Sequence, residues 1–387
     1  MANEYGPVTF SSDYFDRLRS LVPTKDELRR ASYIVEQLSP QDVEYKRRCA
    51  RCHRHMKTNN RTRNRQVPNA TASASTQSPS PSQPKPRAPP IGNSLDELTF
   101  PSSSTKKKPD DRNGGKPLCK FHSGRISYKK WTCCDKHLSS EGCAEEKSHT
   151  TMQYAVGELE LNWIFYATPA APPLSQPAAA VVIDCEMGIS FMGDSELIRL
   201  SVIDYFSRRV LLDRLVLPDV RMSHFNTKFS GISRQMMNDA LRHGNCFLGR
   251  DEARIATMEL LGPNTIVVGH ALHQDLTSLR WIHPLVIDTL LIEKKRRQVK
   301  REAQEAEAAA QGAATQQEKK SEDNKEAPPK PEAGLSLKAL SKEKLNREIQ
   351  LKGKGHDSVE DALATRDLLH WYMSHPAEVG SDDSAAI

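Results

Sequence analysis

The apolar run Ala178–Gly188, AAAVVIDCEMG, ends on two carboxylates one residue apart, Asp184 and Glu186. In a strand alternate side chains share a face, so the two acids point the same way, about 7 Å apart at their Cα atoms, and Cys185 points to the other face. Such a pair repels itself unless a cation neutralises it, and hard oxygen donors suit Mg²⁺ or Mn²⁺. Acids that merely end a strand in solvent are the plain alternative. Two more acids follow. Asp275 in VVGHALHQDLTSL sits at the start of a helix after a strand, a place the helix dipole alone also favours. Asp361 in GKGHDSVEDALATRDLL lies in the first turn of the last helix, where Ser358 and Asp361 have capping-box spacing, so capping is a competing use. His356 stands in the glycine-rich turn before it, and an imidazole with an ordinary pKa of about 6.5 suits proton transfer at neutral pH.

A second set of chemistry-bearing residues precedes the first. Six of the eight cysteines are Cys49 and Cys52 in CARC, Cys119 in CKFH, Cys133 and Cys134 in WTCC, and Cys143 in GC, with His122 and His149 at matching intervals. Six thiols and two imidazoles are enough ligands for two tetrahedral zinc ions. One zinc with spare thiols, or disulfides, are the other uses, and His53, His55 and His137 are alternate ligands. Cys185 and Cys246 remain without a metal. Phe121, Tyr128 and Trp131 interleave the basic residues here, for stacking on bases or for core packing.

The elements that must position these residues follow from periodicity. Short helices are expected over 11–47, where TKDE at Thr24–Glu27 has capping-box spacing. Residues 1–56 thus read as short helices ending in the CxxC pair. Residues 57–116 are rich in Ser, Pro, Asn, Thr and Lys and should lack fixed structure. A compact Cys/His-rich module is expected over 117–152, then a proline-rich linker over 169–177. The main domain is expected over 178–374, with a 375–387 tail. VVIDCEM, LIRLSVIDY and RRVLLDRLVLP read as strands, and helix and strand then alternate to SVEDALATRDLLHWYM, which implies an α/β fold with a mixed sheet. An insert over 294–333 is expected to be disordered, apart from a transient helix near REAQEAEAAAQ.

The 387 residues carry a formal charge of +6. Basic blocks such as KRRCARCHRHMKTNNRTRNR and KKRRQVKR suit nucleic acid or nuclear import, and solvated disorder equally. No apolar stretch approaches the roughly 18 residues of a membrane span. The first residues lack a secretory pattern. A nuclear location is expected, with the cytoplasm as a second one, and disulfides are rare in both.

Taken together, DCEMG, FSGI, GHALHQDL, IDTL and GHDSVEDALAT resemble the DEDDh 3′→5′ exonuclease superfamily, and within it the eukaryotic Rex-type RNA exonucleases, from about Val181 to Met373 outside the insert. The resemblance implies an RNase H-like α/β domain with a five-stranded mixed sheet. It implies that Asp184, Glu186, Asp275 and Asp361 hold two Mg²⁺ or Mn²⁺ ions, that His356 activates a water, and that RNA 3′ ends are hydrolysed to nucleoside 5′-monophosphates. Met187 and Gly188 would contact the terminal sugar and base, strand-end packing being the other use of Met187. The layout CxFHxG…WTCC…GC…H resembles the zinc modules called CHORD domains, although a long linker separates Cys52 from Cys119. Such a module suits RNA binding, protein binding or stabilisation alone. Two other functions stay open: a zinc adaptor with a vestigial nuclease, and a DNA-directed 3′→5′ exonuclease.

Overall fold

A computed structural model describes residues 5–56, 119–128, 130–137, 140–171, 176–313, 334–351, 353 and 355–375. The chain divides into two units, 1–56 with 151–387, and 57–150. The expected disordered segment 57–116, residues 314–333 of the insert and the tail beyond His375 lie outside the described residues.

The first unit is built on a mixed sheet. Its strands are β1 (Ala180–Ser190), β2 (Ser195–Asp204), β3 (Val210–Leu217), β4 (Met222–His224), β5 (Cys246–Leu248), β6 (Ile266–Gly269) and β7 (Val286–Asp288). Their spatial order is β5-β3-β2-β1-β6-β7, and β4 pairs with the end of β1. The β1–β2 and β2–β3 pairs are antiparallel, whereas β6 lies parallel to both β1 and β7. The five strands β3-β2-β1-β6-β7 make the expected RNase H-like sheet. The structure adds β4 and β5, so the sheet has seven strands rather than five. Three-residue strands carry no readable period.

Nine helices matter to the argument: α1 (Ser12–Ser20), α2 (Lys25–Arg30), α3 (Pro40–Glu44), α4 (Arg234–Arg242), α5 (Gly249–Met258), α6 (His273–Ser278), α7 (Thr289–Ala313), α8 (Leu337–Leu345) and α9 (Ser358–Ser374). Thr24 caps α2 in a full capping box with Glu27, as its spacing predicts. Strand parity sorts the core. Val181, Ile183 and Cys185 pack on one face with Leu276 of α6 and Leu272 just before it. Ala180 and Val182 pack on the other with Ala362, Leu369 and Met373 of α9. Each such aliphatic side chain contributes about 1.5–3 kcal/mol when buried. Asp184 and Glu186 share the parity of Val182, so they point toward the face that α9 covers.

Two expectations need correction. The first half of the insert is not disordered, because α7 runs unbroken to Ala313. Its Lys, Arg, Glu, Gln and Ala residues are good helix formers, and Glu293–Arg297 and Gln298–Glu302 pairs at i,i+4 support it. Nor is KKRRQVKR fully exposed, since Arg296 is buried over the rings of Trp371 and Tyr372. The cap of α9 is Asp357, whose side chain accepts from the Val359 N–H, while Ser358 is buried with its hydroxyl on Ser201. No helix among the described residues is long and apolar enough to cross a membrane.

The second unit pairs Cys119–Phe121 with Ala144–Glu146 and Ile126–Ser127 with Lys130–Trp131, both antiparallel.

Candidate active site and zinc module

The acids of β1 sit where the sheet pairing changes. Asp184 faces Ser201 and Glu186 faces Arg199, and the register shifts between Glu186 and Met187. A bulge of this kind re-aims the residues beyond it. Asp275 reaches the same strand from α6, where its Oδ1 accepts the Cys185 backbone N–H at 3.1 Å. The turn before α6 is tight: a Cβ at Gly269 would lie 2.7 Å from Leu272, and Ala271 takes φ +57°. The Asp288 carboxylate holds that turn by accepting from the Ala271 N–H at 2.9 Å and from the Tyr33 hydroxyl at 2.6 Å.

Asp361 arrives from the first turn of α9. Its Oδ2 accepts from Gln350 Nε2 at 2.8 Å and lies 3.8 Å from His356 Nδ1. Its Oδ1 is buried without a hydrogen-bond partner. His356 is placed by two glycine turns that touch. A Cβ on Gly355 would lie 2.5 Å from the Gly231 Cα, both glycines have positive φ, and the His356 N–H donates to the Phe229 carbonyl. The FSGI segment thus sets the height of the histidine.

Glu186, His356 and Asp361 each offer a ligand atom, and those atoms lie within 4.8 Å of one another. Burial, and after it the nearby Asp275, Asp361 and Glu186, push the Asp184 carboxyl well above the usual carboxylate range. Burial and then Asp361 raise Glu186 to about 8. Burial raises Asp275 to about 8, against the hydrogen bonds from Cys185, and Asp361 to about 6, against that from Gln350. Burial, then Lys338, lowers His356, which favours neutral imidazole. Two carboxylates and an imidazole this close, with Asp184 and Asp275 beside them and one Asp361 oxygen left without a partner, fit a divalent cation held mainly by oxygen donors.

Met187 is partly buried, and its carbonyl accepts from Asn226 Nδ2 at 3.2 Å. Gly188 is buried against β4: a Cβ there would lie 2.7 Å from Met222 Cε. Sequence reasoning missed Arg199, Gln350 and Tyr33. Arg199, opposite Glu186, binds Asp213 and Asp357. A cation inside the apolar run LIRLSVID was the available signal. Gln350 and Tyr33 gave none, because each reaches its carboxylate from another segment.

In the second unit His122, Cys133, Cys134 and Cys143 form one quartet, again with ligand atoms within 4.8 Å. His122 Nδ1 is 3.6 Å from Cys133 Sγ and 3.5 Å from Cys134 Sγ, and Cys143 Sγ is 3.4 Å from Cys133 Sγ. Nε2 of the same imidazole faces the Ser140 carbonyl at 3.2 Å, which leaves Nδ1 for a metal. The ring stacks on Trp131 at 4.3 Å. Burial acts upward on the Cys133 thiol, but the Gly124 N–H and the neighbouring thiol of Cys143 pull it down to about 6. Gly124 and Gly142 leave no room for a side chain against Cys133 and Phe121. Cys119 and His149 also belong to this unit, the former buried; Cys49 and Cys52 belong to the first. None of the eight cysteines forms a disulfide. Tyr128, weighed for core packing, stands fully exposed at φ +47°.

No family model matches the chain. Over 292 residues it is 30% identical to "RNA exonuclease 3" of Emericella nidulans, covering 65% of this chain and 40% of that protein. Over 259 residues it is 27% identical to "RNA exonuclease 3" of Candida albicans, covering 66% and 54%. It is 35% identical over 196 residues to "Interferon-stimulated 20 kDa exonuclease-like 2" of Bos taurus, covering 50% and 46%. The chain therefore spans about half the length of these curated relatives. Among solved structures the catalytic unit of Neurospora crassa Pan2 aligns with a TM-score of 0.36 and 17% identity, over 60% of this chain and 34% of that one.

Proposed function

We propose, from the premise that this chain belongs to the DEDDh-type Rex RNA exonucleases, that it is a metal-dependent 3′→5′ exoribonuclease acting in RNA 3′-end processing or turnover. The observation that carries this reading is the meeting of Glu186, His356 and Asp361, from segments 170 residues apart in the chain, beside Asp184 and Asp275. Asp184, Glu186, Asp275 and Asp361 would hold two Mg²⁺ or Mn²⁺ ions, which supply Lewis-acid polarisation of the scissile phosphate and stabilise the leaving 3′-oxygen. His356 takes the proton of the attacking water. Its Nδ1 lies toward Asp361, so Nε2 is the accepting atom, and its burial keeps it neutral and ready to accept at pH 7. Water attacks the last phosphodiester in line, and the product is a nucleoside 5′-monophosphate. Gln350 and the Cys185 N–H hold Asp361 and Asp275 in place. The quartet His122, Cys133, Cys134 and Cys143 would hold a structural zinc ion, for which its thiols and imidazole are the usual donors.

The deciding assay gives purified protein 5′-labelled RNA and DNA oligonucleotides with Mg²⁺, Mn²⁺ or EDTA. Expected is stepwise shortening of RNA from the 3′ end, release of 5′-mononucleotides, and silence in EDTA. Internal fragments, or equal cleavage in EDTA, would overturn the assignment. Faster cleavage of DNA would move the substrate while keeping the chemistry.

A further inference from the structure

We propose that the groove beyond the far end of β1 binds the single-stranded RNA a few nucleotides upstream of the 3′ end, with Phe191 stacking on a base and Arg221 and Arg234 holding phosphates. This rests on the exoribonuclease reading and adds to it a contact region away from the acids. The groove encloses about 340 Å³, and Phe191, Arg221, Met222, Phe225, Arg234 and Asn238 are among its walls. The two arginines are the only charged residues lining it, and neither has an ion-pair partner among the described residues. Several other arginines of this unit lie against carboxylates, as Arg199 does on Asp213 and Arg208 on Asp367. Two exposed guanidiniums turned into one groove without an acid are a site for anions.

The aromatic component is equally specific. The Arg221 guanidinium lies 4.4 Å over one side of the Phe191 ring, and the ring is still 45% exposed. A base laid on the open side would complete a base–phenyl–guanidinium stack, an arrangement that binds single strands without reading sequence. The pair is braced, because the Phe191 N–H donates to the Arg221 carbonyl at 2.8 Å. Arg234 lies 5.4 Å over Phe225 and donates to the Met222 carbonyl at 3.4 Å.

Position ties the groove to the reaction. Phe191 follows the last residue of β1 directly, five residues beyond Glu186, at most about 16 Å at a strand's rise per residue. Asn226, which binds the Met187 carbonyl, and Phe225, which packs on Gly188, bridge the interval. A strand whose 3′ end lies at the acids therefore has a path along β1 to the groove, a few nucleotides upstream.

The test compares a decanucleotide with a dinucleotide, the latter too short to reach the groove. For Phe191→Ala the ratio of kcat/KM on the decanucleotide to that on the dinucleotide should fall about ten-fold or more, the usual worth of one stacked base. Binding of the decanucleotide is also followed by fluorescence anisotropy in EDTA, where no cleavage is needed. For Arg221→Ala and Arg234→Ala the slope of log affinity against log salt should flatten by about 0.7 each, the figure for one phosphate contact on a single strand. An unchanged ratio together with unchanged slopes overturns the groove proposal. Equal losses on both substrates would also overturn it, since they report general damage. A protein that binds with these slopes but cleaves nothing keeps the groove and loses the nuclease assignment.

Discussion

Asp184 has Asp275, Asp361 and Glu186 as like-charged neighbours, and burial together with those charges pushes its carboxyl well above the usual carboxylate range. Without metal this repulsion opposes folding. Asp184→Asn removes one of the charges, so the metal-free variant should melt higher than the unaltered protein, by about 2–4 °C for each kcal/mol relieved. The unaltered protein should gain stability on adding Mg²⁺ or Mn²⁺, and the variant should not. Differential scanning fluorimetry with and without EDTA reads both; a variant that melts lower in EDTA would contradict the electrostatic picture. His356→Ala should keep the metal-dependent rise but lose about 10²–10⁴-fold in kcat, the usual worth of a general base. A normal rate would remove the histidine from the mechanism. At this scale the sequence was informative where a residue breaks a local pattern: Asp184 and Glu186 interrupt an apolar strand, and His356 follows two glycines in GKGH. Gln350, Tyr33 and the Cys185 N–H were unreadable, because a hydrogen-bond partner brought from a distant segment leaves no local period.

His283 shows how an element's ends depend on one side chain. It is buried after the short pairing of Trp281–Ile282 with Tyr166–Ala167, its Nε2 facing the Thr265 carbonyl and its Nδ1 the Thr168 hydroxyl. That network makes Nε2–H the donor and Nδ1 an acceptor. Burial lowers this imidazole to about 4 from 6.5. The unfolded chain therefore binds the proton first as pH falls, and the contribution is fully present above about pH 6.5 and lost toward pH 4. Between pH 7 and 5 the loss should be about 2 kcal/mol. His283→Gln should be less stable at pH 7 and lose about that much less on acidification, which urea midpoints at the two pH values would reveal. Equal acid losses in both proteins would dismiss the effect. Element boundaries were legible where the period is long, as in α9 and β2. The three residues of β5 were too few, and α7 was underestimated because good helix formers outweigh high charge once the helix is anchored through Glu293 and Arg296.

For the molecule as a whole, two kinds of metal chemistry are present: the hard-oxygen acids all belong to the first unit, and the quartet His122, Cys133, Cys134 and Cys143 to the second, while Cys49 and Cys52 are thiols of the first. The quartet of the second unit predicts that zinc stays bound through gel filtration at one ion per chain or more. Cys133→Ser should lower the bound zinc by one ion and expose the 119–149 region to protease, with cleavage of RNA in Mg²⁺ as a separate readout. Elemental analysis that finds no zinc in the unaltered protein would sink the assignment. If two ions are found, the four other expected ligands, Cys49, Cys52, Cys119 and His149, are in use as well. The Cys and His types of the quartet were legible from spacing. Their partition was not, since spacing along a chain does not say which loop folds back on which.

The contact between Gly355 and Gly231 reaches beyond enzymology. One methyl group at position 355 would force the two turns apart and carry His356 away, while the four acids, held by β1, α6 and α9, would stay where they are. Such a chain would still load metal and still grip RNA ends, but would not release them shortened. In a cell it would act as a cap that shields 3′ termini from the working copies beside it. Gly355→Ala should therefore behave as a dominant allele, whereas Asp184→Asn, which weakens metal binding itself, should be recessive. Co-expression of each with the unaltered protein, followed by measurement of 3′-extended RNA, would separate the two patterns.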